Sequence, residues 1–250
     1  MSTVWSTERV DRALSREVKF LISASVGEAI RAWARRYMAP DPHGSGGHQD
    51  TYRTTTLYFD TRDFDVFHRR RSFGRSKYRV RRYDSSDLVF LERKMRTGER
   101  LSKRRTTVPL AEVARLEAPR DSSWAGAWLQ RRLTVRQLAP VCVLRYRRTA
   151  RLTPSAYGPA RLTLDEQAVA WRTTQCSLDD QPAGTGICEG HVILELKYQM
   201  ALPPLFKELA ETFGLEPGKL SKYRLAAPAL GLVPGAPTEA KGTPEACGTA

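Results

Sequence analysis

The chain has 250 residues, of which 41% are hydrophobic, so it can bury a substantial core as one large β-rich domain or two small ones. Lys and Arg number 41 against 27 Asp and Glu, and a net charge of +14 attracts nucleic acid, an anionic membrane or a polyanionic small molecule without choosing among them. No apolar stretch approaches the roughly 20 residues of a membrane helix, and residues 1–15 are polar and charged rather than signal-like, so the expected location is cytoplasmic.

In chain order, residues 1–14 form an N-terminal segment, 15–232 a single domain and 233–250 a tail rich in Gly, Pro, Thr and Ala. Alternating or β-rich runs predict strands over 16–22, 54–59, 75–83, 88–93, 102–108, 141–152, 160–171 and 191–198. Helical spacing predicts helices over 27–38 (Ala29, Ile30, Trp33, Tyr37), 122–132 (Trp124, Trp128, Leu129) and 203–213, with their aromatic residues in the core. The stretch 41–48 combines turn formers with no apolar anchor and is expected, like the tail, to be loop or disorder. Cys142, Cys176, Cys188 and Cys247 show neither a CxxC pair nor metal-ligand spacing, and His43, His48, His68 and His191 are equally scattered, so all read as structural or incidental.

One segment departs from ordinary strand chemistry. In Lys77-Tyr78-Arg79-Val80-Arg81 the cations fall at every second position, which on a strand places Lys77, Arg79 and Arg81 on one face and Tyr78, Val80 and Arg82 on the other. The pattern recurs in Glu92/Lys94, Arg161/Asp165 and Glu195/Lys197. Such rows are costly in a dry core. They predict an α+β, β-rich fold built on an antiparallel barrel with a hydrated, charged interior and apolar residues and helices outside, the reverse of the usual arrangement.

The ordered set Glu17-Val18-Lys19-Phe20, Thr56-Leu57-Tyr58-Phe59-Asp60-Thr61, Lys77 to Arg81, Leu91-Glu92-Arg93-Lys94, Arg148-Thr149-Ala150, Arg161 to Asp165, Leu194-Glu195-Leu196-Lys197 and Leu220-Ser221-Lys222-Tyr223 resembles the vacuolar transporter chaperone (VTC) domain. That domain is the polyphosphate polymerase branch of the triphosphate tunnel metalloenzymes, the CYTH-like superfamily. The resemblance implies an eight-stranded antiparallel β-barrel tunnel with helices packed outside. It also implies transfer of the γ-phosphoryl of ATP onto a growing polyphosphate chain, with a divalent metal (Mn or Mg) as cofactor. By the same resemblance Lys77, Arg79, Arg81, Arg148 and Arg161 carry the catalytic charge, and Lys19, Lys94, Lys103, Arg105, Lys197 and Lys222 bind substrate. Glu195 is then the metal ligand, with Glu17, Glu92 and Asp165 in support.

The hydrolytic CYTH members carry Glu-x-Glu-x-Lys on the first strand, where this chain reads Ser15-Arg16-Glu17-Val18-Lys19. Loss of the first carboxylate disfavours a second metal or an activated water and moves the expectation from hydrolysis towards phosphoryl transfer. Two alternatives stand beside it: a non-catalytic module for polyphosphate, inositol phosphates or pyrophosphate, and an inorganic triphosphatase. Gly218-Lys219 does not complete a P-loop, since Leu220 occupies the Ser/Thr position, and there is no GxGxxG. Cations in alternating strand rows suit phosphates inside a tunnel better than nucleic acid along a groove. Coupling to export would require a separate membrane partner.

Overall fold

The computed structural model describes residues 7–12, 15–44, 48–74, 76–97, 100–179 and 183–233. The expected tail lies almost wholly outside these residues, as do Cys247 and part of the 41–48 loop. Eleven strands form one antiparallel sheet: β1 (Thr7–Arg12), β2 (Ser15–Ser23), β3 (Ala39–Pro40), β4 (Thr51–Asp60), β5 (Lys77–Tyr83), β6 (Leu88–Thr97), β7 (Arg100–Pro109), β8 (Ala139–Thr153), β9 (Ala160–Arg172), β10 (Thr185–Ile187) and β11 (His191–Gln199). The helices are α1 (Ala24–Tyr37), α2 (Asp65–His68), α3 (Ala127–Val135), α4 (Pro204–Thr212) and α5 (Lys222–Ala229).

The main path runs β1-β7-β6-β5-β4-β8-β9-β11-β2, with β10 on β9 and β3 on β8. All eight expected strands are present, and β1 adds a further edge beside β7. Among the described residues β1 and β2 are not hydrogen-bonded to each other, so the sheet curls into a tunnel without closing by backbone bonds. Glu17 on β2 reaches Lys94 on β6 at 3.1 Å across the interior, and Gly218 N–H donates to the Lys19 carbonyl at 2.7 Å, laying the segment before α5 on the free edge of β2.

Strand alternation explains why the core lies outside the tunnel. Tyr78 and Val80 leave the cationic row and pack with Leu57, Phe59, Val89, Leu91 and Val108 beneath α3 and the 3-10 turn Leu110–Leu116. A second apolar layer covers β2, β9 and β11, where Phe20, Leu162, Leu164, Leu194 and Leu196 meet Ile30 and Ala34 of α1 and Phe206 and Leu209 of α4. The inverted pattern read from the sequence is therefore the observed one.

Three details differ from expectation. Tyr37 is 46% exposed, its ring tilted against Trp33 at 5.0 Å at the end of α1 rather than in the core, and Ala29 is also exposed. Asp41 gives the 41–48 loop a buried anchor, accepting from His43 N–H at 3.0 Å and lying 2.8 Å from the Arg161 guanidinium. The helix expected over 122–132 begins at Ala127 and runs to Val135, preceded by turns that bury Trp124. No helix among the described residues is long and apolar enough to cross a membrane.

Candidate functional site

The interior rows bring the expected cations and carboxylates together in three clusters. At the centre, Glu92 of β6 is fully buried and accepts from Arg79 Nε at 2.6 Å and Arg105 Nε at 2.8 Å, with Arg105 Nη2 at 2.6 Å and Lys103 Nζ at 3.0 Å completing the ion pairs. Burial alone would raise its carboxyl, but Arg79 and Arg81, with Lys103 and Arg105, hold it well below the usual carboxylate range. Arg81, beside this cluster, donates from Nε to Thr56 Oγ1 at 3.2 Å.

On the opposite wall, Arg148 of β8 grips Asp165 of β9 with two bonds of 2.6 and 2.8 Å, and Lys222 of α5 reaches the same carboxylate. Lys222 is thus an interior residue, not a surface lysine. Arg148 and Lys222 also lie over the Tyr146 ring, 5.3 and 5.0 Å from its centroid.

The third cluster joins β2, β6 and β11. The Lys19 ammonium stands between two carboxylates, 2.8 Å from Glu17 and 3.1 Å from Glu195, while Lys94 holds the other oxygen of Glu17. Glu195 is depressed well below its usual range because Lys19, Lys222, Arg148 and Lys94 outweigh its burial. Glu17 is lowered as well: burial and the neighbouring Glu195 push it up, and Lys19 and Lys94 win.

Among the described residues Lys77 pairs with a neutral group, donating to Ser221 Oγ at 3.0 Å, and burial together with Lys19, Lys94 and Arg79 pushes its ammonium well below the ordinary lysine value. Lys103 is lowered to about 8, because burial and the cations Arg105 and Arg79 outweigh Glu92. Lys197 takes the interior row opposite Arg161 on β9 and Glu17 on β2. Arg161 sits four residues along β9 from Asp165, held by Asp41 and by the Tyr52 hydroxyl at 2.6 Å rather than by the three clusters.

Several contributors escaped the sequence reading. The hydroxyls of Tyr146, Thr54 and Thr163 are buried on the interior rows with no hydrogen-bond partner among the described residues. Such orphans are rare in a finished core and fit an interior built to be filled by a polar ligand. Tyr83 forms an aromatic collar with Tyr52 and Phe90, 5.5 Å from each. Burial opposes its ionisation, yet Arg81, with Arg105 and Arg148, brings the phenol down to about 7. Near the Lys19–Lys77–Lys94 end the tunnel opens into a cavity of about 530 Å³, to which Arg69, Lys219 and Arg224 add charge and Val66, Pro217 and Leu220 apolar surface. Tyr83 continues the row of Lys77, Arg79 and Arg81, and Thr163 stands between Arg161 and Asp165, but a neutral side chain in a charged row carries no signal of its own.

Among the described residues no three His, Cys, Asp or Glu converge into a metal cage. The Glu17 and Glu195 carboxylates, held around one ammonium, are hard oxygen donors of the kind a divalent cation takes when phosphate oxygens and water complete its shell. They fit such an ion as a shared pair, which enlarges the role expected for Glu17.

The VTC domain family matches residues 14–230. The chain belongs to this family. Its fold is an antiparallel sheet curled into a tunnel. A solved structure of a candidate adenylate cyclase from Bacillus halodurans superposes with a TM-score of 0.54 at 16% identity, covering 84% of this chain and 95% of that one. A candidate adenylyl cyclase from Hippeastrum, described as having a dominant triphosphatase activity, gives a TM-score of 0.46 at 16% identity over 83% of this chain and 92% of its own. No curated protein matches the chain. In this VTC tunnel the cations on β2, β5, β6, β7 and β8 are drawn from separate stretches of sequence, and only the curl of the sheet makes them one site.

Proposed function

We propose that the protein is a polyphosphate polymerase that uses ATP, within the triphosphate and polyphosphate chemistry to which VTC membership ties it. The observation that carries this reading is the enclosed row Lys77, Arg79 and Arg81, backed by cations on six further strands and by hydroxyls that have no partner among the described residues. A straight strand row spaces its side chains about 7 Å apart, which suits a linear anion threaded along the tunnel better than the compact ring of an inositol phosphate.

In the reaction, an oxygen of the terminal phosphate of the chain attacks the γ-phosphorus of ATP, the bond from that phosphorus to the β–γ bridging oxygen breaks, and ADP leaves with the bond's electrons. Little covalent work falls to the protein. Positioning and neutralisation of charge supply the rate, and Arg79, Arg81 and Arg148 present planar guanidinium groups suited to paired phosphate contacts. Lys19, Lys94, Lys103, Lys197 and Lys222 add point charges, Lys77 enters as the least neutralised of the row, and Arg105 and Arg161 flank them. Glu92 and Asp165 fix their cations in place and limit repulsion before substrate arrives. Glu17 and Glu195 would hold Mg²⁺ or Mn²⁺, which when bound neutralises charge on phosphate oxygens.

Ser15, standing where hydrolytic relatives carry a carboxylate, supports transfer over hydrolysis. The test is incubation of purified protein with ATP and Mn²⁺ or Mg²⁺, followed by product analysis. Long-chain polyphosphate with ADP is the expected outcome. Orthophosphate alone would identify a hydrolase, and unconsumed ATP bound at stoichiometry would identify a binding module.

A further inference from the structure

Lys222 and Ser221 reach the tunnel from α5, a helix of eight residues with Pro228 inside it. So short a helix is not stable alone, and its N-cap residue does not help: the Ser221 hydroxyl is engaged by Lys77 and makes no capping bond. The first turn is held by the next residue instead. The Tyr223 hydroxyl donates to Asp60 at 2.6 Å, its ring stacks on Tyr58 at 5.1 Å, and Arg224 donates to the Phe67 carbonyl at 2.9 Å.

Asp60, at the end of β4, is fully buried and also accepts from the backbone N–H groups of Thr61, Val66 and Phe67 at 2.8, 2.8 and 2.9 Å. One carboxylate thereby pins both the start of α2 and the start of α5. Among the described residues its four acceptor sites are taken by one hydroxyl and three backbone N–H groups, so they are spent on geometry rather than on charge pairing.

We infer that Asp60 and Tyr223 are positioning residues of the phosphate site: the Asp60–Tyr223 bond fixes the first turn of α5 so that Lys222 reaches Asp165 and Ser221 reaches Lys77. This deepens the proposed function and rests on it, since it assumes that Lys222 contacts phosphate. Tyr223 lines the cavity wall, but its hydroxyl is committed to Asp60, which is fully buried. Their influence on the ligand passes through Lys222.

Tyr223→Phe removes only the hydroxyl and keeps the ring stack and all three backbone bonds to Asp60, so it isolates this link. The measurement is calorimetric affinity for inorganic tripolyphosphate in a double-mutant cycle with Lys222→Met, with circular dichroism melts on every variant. Tyr223→Phe is expected to weaken binding about tenfold in the parent, in line with the loss of a hydrogen bond to a charged group, and by less than about twofold in the Lys222→Met background. In an Arg79→Ala background the tenfold effect should persist. Equal effects with and without Lys222, unaltered affinity in Tyr223→Phe, or a loss explained by the unfolded fraction at the assay temperature would each overturn the inference while leaving the tunnel reading intact. A parent protein that failed to bind tripolyphosphate would overturn both.

Discussion

Arg79 and Arg81 stand on one side of a strand whose other side is core, and the contrast decides what their removal does. Tyr78 and Val80 supply packing, while the two arginines supply charge to the interior. Arg81→Ala should therefore leave the melting curve of a folded protein, and Arg79→Ala, which also takes one of three cations from buried Glu92, should lower it without unfolding the chain; each should cost turnover about 2–4 kcal/mol, the usual loss for one charged contact to a developing anion. Full activity would remove these arginines from the phosphate path, and insoluble variants would make them structural. Glu92 should behave in the opposite way. It is buried among Arg79, Lys103 and Arg105, so Glu92→Gln should destabilise the fold by about 3–5 kcal/mol, yet tighten tripolyphosphate binding, because three cations lose their internal counter-charge. A melt recovered by tripolyphosphate would show both halves of that effect, and a variant neither destabilised nor tighter-binding would contradict it. Glu195→Gln should remove the response of turnover to Mn²⁺ or Mg²⁺ while tripolyphosphate binding in chelator stays equal or strengthens. If the variant still responded to metal like the parent, Glu195 would be only a partner for Lys19, and Glu17, Glu92 and Asp165 would be tested next.

At the scale of elements, the rows on β5 and β7 carry a pH signature. Lys103 is lowered to about 8 and Tyr83 to about 7, so as pH rises through this window the free tunnel loses a positive charge and gains a negative one. A bound polyanion favours the protonated forms, so binding should take up protons and weaken between about pH 7 and 9. Ionisation of the ligand is common to all variants, so the decisive comparison is the slope of affinity against pH. That slope should flatten in Lys103→Arg and in Tyr83→Phe, and parallel slopes would contradict the assignment. The strands themselves were legible because alternation of charge with apolar residues is a two-residue signal that survives in a single sequence. β1 was not, since Thr7–Arg12 has charges but only one apolar residue to set against them. Nor were α2 and α5. α2 has four residues between Phe64 and Arg69, both at positive φ, and is held by Asp60 from outside its own sequence, while Pro228 masks α5 as a loop. For the same reason Lys222 could be placed by resemblance but its route into the tunnel could not. The register across strands, which puts Glu17 and Glu195 around one lysine, is a tertiary fact that no local pattern contains.

For the whole molecule, two apolar layers outside a charged tunnel invert the ordinary economy of a barrel. The interior is tolerable because Glu92 and Asp165 each meet several cations, and because hydroxyls such as those of Tyr146, Thr54 and Thr163 are left to meet a ligand. A net charge of +14, with cations also at the rim of the cavity, draws polyanions towards the opening and should make association fall as salt rises. The central claim is that this interior reads a chain of phosphates. Calorimetric affinity measured across adenosine, orthophosphate, pyrophosphate, tripolyphosphate and ATP tests it most directly: affinity should climb with phosphate number and be similar for tripolyphosphate and ATP, whereas equal affinity for adenosine and ATP would contradict it.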